Sequence, residues 1–437
     1  MGETPGSPTV SMKLQRIAQQ AQRYPAMVFN NGCHLIDRDF LRKAYRLTRK
    51  NSAPGVDQVT ATQYAEHLED NLRDLHERLR DNRDVAPPVE RVWIEKEGGK
   101  KRPIGKPCFE DKIVQRAVVM SLEAIFEQDF HAFSHGFRKG HSPHQALHEL
   151  REQCRTLHIN WIVDADVSGC FDNLDWGFLR EFIQQRVKDG GILRLIGKWL
   201  HAGVLEAGEL THPDKGTPQG GVASPLLANV FLHQVLDEWF VKDVQPRMKG
   251  RCFVTRFADD FIIGCELEAD ACRVMAVLPK RFNRFSLTIH PEKTAWIAFK
   301  RPPSREASAG RPGSFDFLGF THYWAKTRRG YWVLKRKTVG KRLRRFMQAI
   351  WAWCRDNRHA PLQEQYRTLC AKLRGYYQYY GIRGNFKMLE VVFEHTERAW
   401  RYWLSRRSHK GHIRWQKFVA SLQKDLALPK PRIMHNI

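Results

Sequence analysis

Apolar residues three and four apart alternate along this chain with short apolar stretches of strand length, and the alternation divides it into elements. Met12–Arg23 and Arg38–Arg49 read as helices, the second basic and ended by Asn51-Ser52-Ala53-Pro54-Gly55. Tyr64, Leu68, Leu72, Leu75 and Leu79 predict a helix over Ala61–Arg83, stopped by Pro87-Pro88. Val89–Lys106 reads as a hairpin, with Val92-Trp93-Ile94 outgoing, Gly98-Gly99 turning and Arg102-Pro103-Ile104 returning. Asp111–Phe126 is an amphipathic helix, Trp161–Val167 a short apolar strand holding two acids, and Trp176–Val187 and Pro225–Val241 further helices. Cys252–Cys265 reads as two strands joined through Ala258-Asp259-Asp260. A Pro-, Gly- and Ser-rich connection leads to Phe315–Phe320, after which helical, basic segments are expected. This order is unlike a Rossmann unit and predicts an α+β body with a helical C-terminal region.

Composition narrows the class. Over 437 residues, 42% hydrophobic and 27% charged is a globular balance that argues against wholesale disorder. No apolar run approaches the roughly 18 residues of a membrane helix, and no apolar stretch behind Met1–Gly6 reads as a secretion signal. Nine cysteines without CxxC spacing indicate neither a disulfide framework nor a zinc ribbon, so a reduced, cytoplasmic protein is expected.

Charge is more telling. The net charge of +25 points to a polyanionic partner. Between Tyr323 and Ile437 there are 27 Lys and Arg against 6 Asp and Glu, whereas the preceding residues hold 45 against 41. A nearly neutral body therefore carries a strongly basic C-terminal quarter. Aromatics interleave there (Trp324, Tyr331, Trp332, Phe346, Trp351, Trp353), the combination that holds RNA and single strands by stacking and phosphate neutralisation.

In Trp161-Ile162-Val163-Asp164-Ala165-Asp166-Val167, strand alternation puts Asp164 and Asp166 on one face. A second acidic cluster, Asp259-Asp260, stands at a strand–turn–strand point between apolar residues. Adjacent aspartates in a hairpin are commonly turn formers. Two acidic clusters inside separate apolar strands instead indicate a carboxylate cage for Mg²⁺, a hard ion that prefers a few carboxylates plus substrate phosphates. Two such ions would activate an attacking hydroxyl and stabilise a leaving pyrophosphate.

At these residues the chain resembles a known family. Asp166 with Phe171, then Gly216-Thr217-Pro218-Gln219-Gly220-Gly221 running through Ser224-Pro225-Leu226-Leu227-Ala228-Asn229, then Phe257-Ala258-Asp259-Asp260, is similar to the ordered motif set of reverse transcriptases. More narrowly it resembles bacterial group II intron reverse transcriptase/maturases, through Ala53-Pro54-Gly55-Val56-Asp57, Arg102–Pro107, Phe133–Arg138, His290-Pro291-Glu292-Lys293-Thr294, Phe317-Leu318-Gly319-Phe320 and Leu373–Tyr380. The likeness covers about residues 40–437.

The resemblance implies a right-hand polymerase with fingers, palm and thumb, and roles at matching positions. Asp166, Asp259 and Asp260 would be catalytic, with Asp166, Asp259 and the Val167 carbonyl binding two Mg²⁺, or Mn²⁺ in their place. Phe171 would be a steric gate against a ribose 2′-hydroxyl. Gln219 would lie near the incoming dNTP and the primer end, Lys96 and Arg102 would grip its triphosphate, and Lys293 would protonate the leaving pyrophosphate. Phe257 stands where the family usually has Tyr, which removes a hydroxyl and keeps the ring.

The family also implies a division into 1–50 (N-terminal extension), 51–322 (fingers and palm), 323–385 (thumb, or maturase domain) and 386–437 (basic DNA-binding region). Lys335, Arg336, Lys337, Lys341, Arg342, Arg344 and Arg345 would meet nucleic acid from the thumb, and Arg406 and Arg407 from the last region, whose end at Leu428–Ile433 is expected as an extended tail. No cysteine follows Cys370, and His409 and His412 lack partners, so the metal-binding endonuclease of many relatives is expected to be absent, as in compact IIC-type proteins. The implied partners are a group II intron RNA, an RNA template, a DNA primer or target DNA, and dNTPs. Two other readings stay open: an RNA-binding splicing factor with a relic polymerase, and a free-standing defence or repair enzyme.

Overall fold

The computed structural model describes residues 9–95, 101–302, 313–408, 412–422 and 426–437. Its central sheet is antiparallel and four-stranded, in the order Ala295–Ala298, Trp161–Ala165, Asp260–Cys265, Cys252–Phe257. Side chains alternate between its faces. Val163, Ala165, Phe261 and Ile263 enter a large core with helices Phe109–Phe126, Ser224–Leu232 and Glu268–Asn283. Ile162, Ile262 and Phe253 enter a second core with helix Pro143–Thr156. Both faces are buried along Trp161–Ala165, Asp260–Cys265 and Cys252–Phe257, which is why these three strands read as nearly continuous apolar runs, whereas the edge strand Ala295–Ala298 is mostly exposed. Phe231 and Phe282 are fully buried, each contributing about 1.5–3 kcal/mol of burial.

A second sheet is ordered Lys101–Lys106, Val89–Glu95, Val204–Glu206, Glu209–Thr211. Its first pair is the expected hairpin, whose Gly98-Gly99 turn lies outside the described residues. The helix expected over Ala61–Arg83 is two helices, Ala61–Glu66 and Leu68–Arg80, broken at His67 where φ is −124°. The run after Ser224 is α-helical to Leu232 and continues as π turns over His233–Asp237 and Phe240–Val244.

The region after 322 departs from the helical expectation. Ser314–Phe317, Phe320–Lys326 and Trp332–Thr338 form a three-stranded antiparallel sheet, so residue 323 falls inside a strand. The short period of Phe320–Lys326, buried at every second residue, is masked in sequence by its Lys and His. Helices Gly340–Asp356, Leu362–Tyr380, Phe386–Leu404 and Trp415–Leu422 follow. Ile350, Leu369, Leu373, Leu389, Trp400 and Phe418 share one core, which spans the 385/386 division.

Two arginines tie distant segments together. Arg186 donates to the carbonyls of Ala21 (3.2 Å) and Met27 (2.7 Å) and pairs with Asp129 at 2.8 Å, holding the end of helix Val10–Arg23 against the body. Arg336 is 2% exposed and donates to the carbonyls of Leu147 (3.2 Å) and Ile437 (2.5 Å). The final residues are anchored further, Met434 and His435 both donating their backbone N–H to the Gly381 carbonyl.

Candidate active site

Register brings the acids together. Ala165 pairs with Phe261 and Phe257 with Asp260, so one step further along each strand sets Asp166 beside the Ala258-Asp259 turn. The strand stops at Ala165; the Asp166 carbonyl accepts from the His290 backbone N–H at 2.8 Å, and Val167–Ser168 pairs separately with Thr288–Ile289. Asp164 lies within reach of Asp260 and Asp166: burial first, then these neighbours and Asp316, push its carboxyl up to about 7. Asp260 is exposed, yet protein packed behind its carboxyl, then Asp259 and Asp166, push it up to about 6. Lys293 and Arg342 work in the opposite direction on Asp260. Lys293 Nζ also stands 2.5 Å from Asp166 Oδ2. Asp164 and Asp260, raised by burial and then by neighbouring acidic charge, stand with Asp166 and Asp259 as a surplus of hard oxygen donors, and such a donor set fits Mg²⁺.

The glycine-rich loop lies on the Lys101–Lys106 strand and on the Phe171-Asp172 backbone. Gly220 has φ +114°, and a Cβ there would come 2.4 Å from the Gly105 carbonyl oxygen, so only glycine lets the loop lie on the hairpin. This contact, with the Gly105 N–H donating to the Gln219 carbonyl at 2.5 Å, seats Gln219 beside Arg102. Arg102 Nε donates to Gln219 Oε1 at 2.5 Å, and Gln219 Nε2 donates to Asp172 Oδ2 at 3.3 Å. Asp172, absent from the sequence reading, follows the expected gate: Phe171 is 8% exposed, its carbonyl accepts from Thr217 N–H at 2.7 Å, and its ring meets Phe137 edge-on at 6.3 Å.

The remaining expected residues divide by burial. Lys96 lies outside the described residues, as does His409. Lys337, Lys341, Arg342, Arg344 and Arg345 are exposed along strand Trp332–Thr338 and helix Gly340–Asp356, and Arg342 also approaches Asp260. Lys335 is half-buried, donating to the Lys326 carbonyl at 3.3 Å. Arg336 corrects the expectation, because a guanidinium enclosed in the fold and bonded to carbonyls presents no charge to a phosphate. Arg407 is likewise drawn inward, donating to the carbonyls of Arg358 (2.5 Å) and Ala360 (2.6 Å). Arg406 stays exposed, its guanidinium 3.7 Å from the Tyr402 ring centroid.

Sequence reasoning also missed Arg256. It is fully buried and pairs with Asp237, whose side chain is equally enclosed. The available signal was an arginine inside the apolar strand Cys252–Phe257, since a charge there requires a partner.

Residues 94–322 match the model of the reverse transcriptase (RNA-dependent DNA polymerase) family. Protein YkfC of Escherichia coli strain K12 is 30% identical over 299 residues, spanning 60% of this chain and 78% of that protein. Group II intron-encoded protein LtrA of Lactococcus lactis subsp. cremoris is 37% identical over 233 residues, 52% of this chain but 38% of LtrA. Nuclear intron maturase 1, mitochondrial, of Arabidopsis thaliana is 32% identical over 124 residues, 26% of this chain and 17% of that protein. With the family model covering more than half of its residues, and relatives named for a group II intron and for an intron maturase among its matches, the chain belongs to the reverse transcriptase family, in the branch of group II intron reverse transcriptases and maturases.

Proposed function

We propose that this chain extends a DNA primer on an RNA template with dNTPs, and that it binds a group II intron RNA, helping it reach the shape in which it splices and moves to a DNA target. The observation that carries the polymerase reading is the meeting of Asp166 with Asp259 and Asp260, far apart in sequence, at adjoining ends of one sheet.

In this reading Asp166 and Asp259, with the Val167 carbonyl, hold Mg²⁺, which when bound lends positive charge to the phosphates. Asp260 adds negative charge beside Asp166 and Asp259. Arg102 holds the triphosphate by charge-assisted hydrogen bonds, with Gln219 lying between it and the primer end. The Phe171 ring closes the space a ribose 2′-hydroxyl would need. Lys293 gives a proton to the pyrophosphate as it leaves. The exposed Lys337, Lys341, Arg342, Arg344, Arg345 and Arg406 neutralise backbone phosphates, so affinity falls steeply with salt. The 323–385 segment acts as thumb and 386–437 as the DNA-contacting region.

Asp259→Ala separates the two activities. It is expected to abolish Mg²⁺-dependent extension of oligo(dT) on poly(rA) while leaving intron RNA binding near wild type. Extension by that variant would refute the metal assignment. An inactive wild-type chain that still promotes splicing would leave the relic-polymerase reading in its place.

A further inference from the structure

The acidic turn is gripped from beneath by a buried polar network outside the roles given above. Arg256, 0% exposed, donates from Nε to Asp237 Oδ1 (2.8 Å), from Nη2 to Asp237 Oδ2 (2.5 Å) and from Nη1 to Asn229 Oδ1 (3.0 Å). Nη1 also donates to the carbonyl of Ala258 at 3.1 Å, the residue immediately before Asp259. Asn229, 1% exposed, turns its other end to the Gly136 carbonyl, with Nδ2 donating at 2.7 Å.

Ala258 needs such a grip. Its φ is +58°, the left-handed region that a residue with a Cβ avoids unless its surroundings impose it. Gly136 closes on the turn from the other side, where a Cβ would come 2.1 Å from the Ala258 nitrogen. The segment carrying Gly136 is itself fixed to Arg256, whose N–H donates to the Phe133 carbonyl and whose carbonyl accepts from His135 N–H, both at 2.9 Å. An ion pair serving only to fill the core would be replaceable by apolar residues of similar volume. This one instead spends a guanidinium hydrogen bond on the backbone of the turn, and routes Asn229 to the glycine that presses on it.

We propose that Arg256, with Asp237 and Asn229, is a positioning device that holds the Ala258 peptide in its left-handed turn and so aims Asp259 at the metal site. The inference rests on the reading of Asp259 as a metal ligand. Arg256 touches neither substrate nor reacting atoms; it acts through the turn. Partners behind a ligand typically cost 10–100-fold in metal affinity or activity when removed.

The test uses the full chain with Asn229→Ala and Arg256→Lys, the first leaving the Arg256–Asp237 pair intact so that folding is preserved. Mn²⁺ affinity is read by the loss of the free-ion EPR signal, single-nucleotide extension is followed against Mg²⁺ concentration, and the unfolding midpoint is recorded alongside. The expected result is that both variants weaken Mn²⁺ binding about ten-fold and raise the half-maximal Mg²⁺ concentration by a similar factor, while template–primer affinity stays within about two-fold. A lowered unfolding midpoint with unchanged Mn²⁺ affinity and Mg²⁺ dependence would overturn the proposal and leave a core ion pair only. Asp259→Ala run in parallel separates the failures. If it is inactive while the network variants match wild type, positioning alone is refuted; if it is itself active and binds Mn²⁺ normally, the ligand assignment and the positioning fall together.

Discussion

Lys293 Nζ donates to Asp166 Oδ2 across 2.5 Å, from a lysine side chain 59% exposed to a carboxylate 34% exposed. An ion pair this open contributes little to stability. Its worth is expected in chemistry, where a positioned proton donor supplies about 10²-fold or more. Lys293→Gln should therefore leave the thermal unfolding midpoint nearly unchanged and slow single-turnover nucleotide incorporation by about two orders of magnitude, as rapid-quench measurement would read.

The relay from Arg102 through Gln219 to Asp172 fixes which end of the Gln219 amide faces which neighbour, because the oxygen accepts from the guanidinium and the nitrogen donates to the carboxylate. Loss of a hydrogen bond involving a charged group costs about 1.5–3 kcal/mol, or about ten-fold and upward. Gln219→Ala should raise KM for dNTP by about ten-fold. Asp172→Asn should raise it in the same direction by less, since Asn leaves the amide a weaker acceptor. Steady-state extension at varied dNTP reads both.

Arg336 and its exposed neighbours make opposite predictions. Arg336→Met should lower the unfolding midpoint, because the carbonyls of Leu147 and Ile437 lose their donor, yet leave the salt dependence of RNA binding as it was. Replacing Lys341, Arg344 and Arg345 together by Ala should do the reverse, reducing the slope of log affinity against log salt by about 2 to 3 with stability little changed. Filter binding at several salt concentrations distinguishes them.

Asp111, 6% exposed on helix Phe109–Phe126, gives a pH signature. Burial first, then Asp84, Glu110 and Asp57, raise its carboxyl from an ordinary 3.8 to about 8. The folded chain then keeps a proton that the unfolded chain has released. Stability from this group is complete below about 4 and is lost as pH rises towards and through about 8. Asp111→Asn cannot ionise, so its unfolding midpoint relative to wild type should improve from pH 5 to pH 9. A difference that does not change with pH would show that Asp111 is already ionised in the fold.

Much of this was legible locally. The hairpin at Val89–Lys106, the strands around Asp164 and Asp259, and the loop holding Gln219 each have turn residues and periods that depend on near neighbours. The ordered motifs also indicated the family that the comparisons show. Less legible were the strands after residue 313. Phe320–Lys326 buries His322 with both ring nitrogens unpaired against the Phe315 ring, and a histidine in that register reads in sequence as a polar, exposed position.

By itself the sequence determined which residues could carry chemistry: the acids at strand ends, the glycines that let backbones touch, and the excess of positive charge in the last quarter. Only the tertiary structure decided what each charge does. Arg336 and Arg344 stand eight positions apart in one basic stretch, yet the first is sealed against a carbonyl from helix Pro143–Thr156 and the second faces solvent. Arg256, set inside an apolar strand, is surrounded by Asp237 and Asn229 from another helical run. Local sequence sets backbone preference through short-range sterics. The fate of a buried charge instead depends on whether distant segments bring it a partner, since the cost of removing it from water is met only by groups the fold delivers.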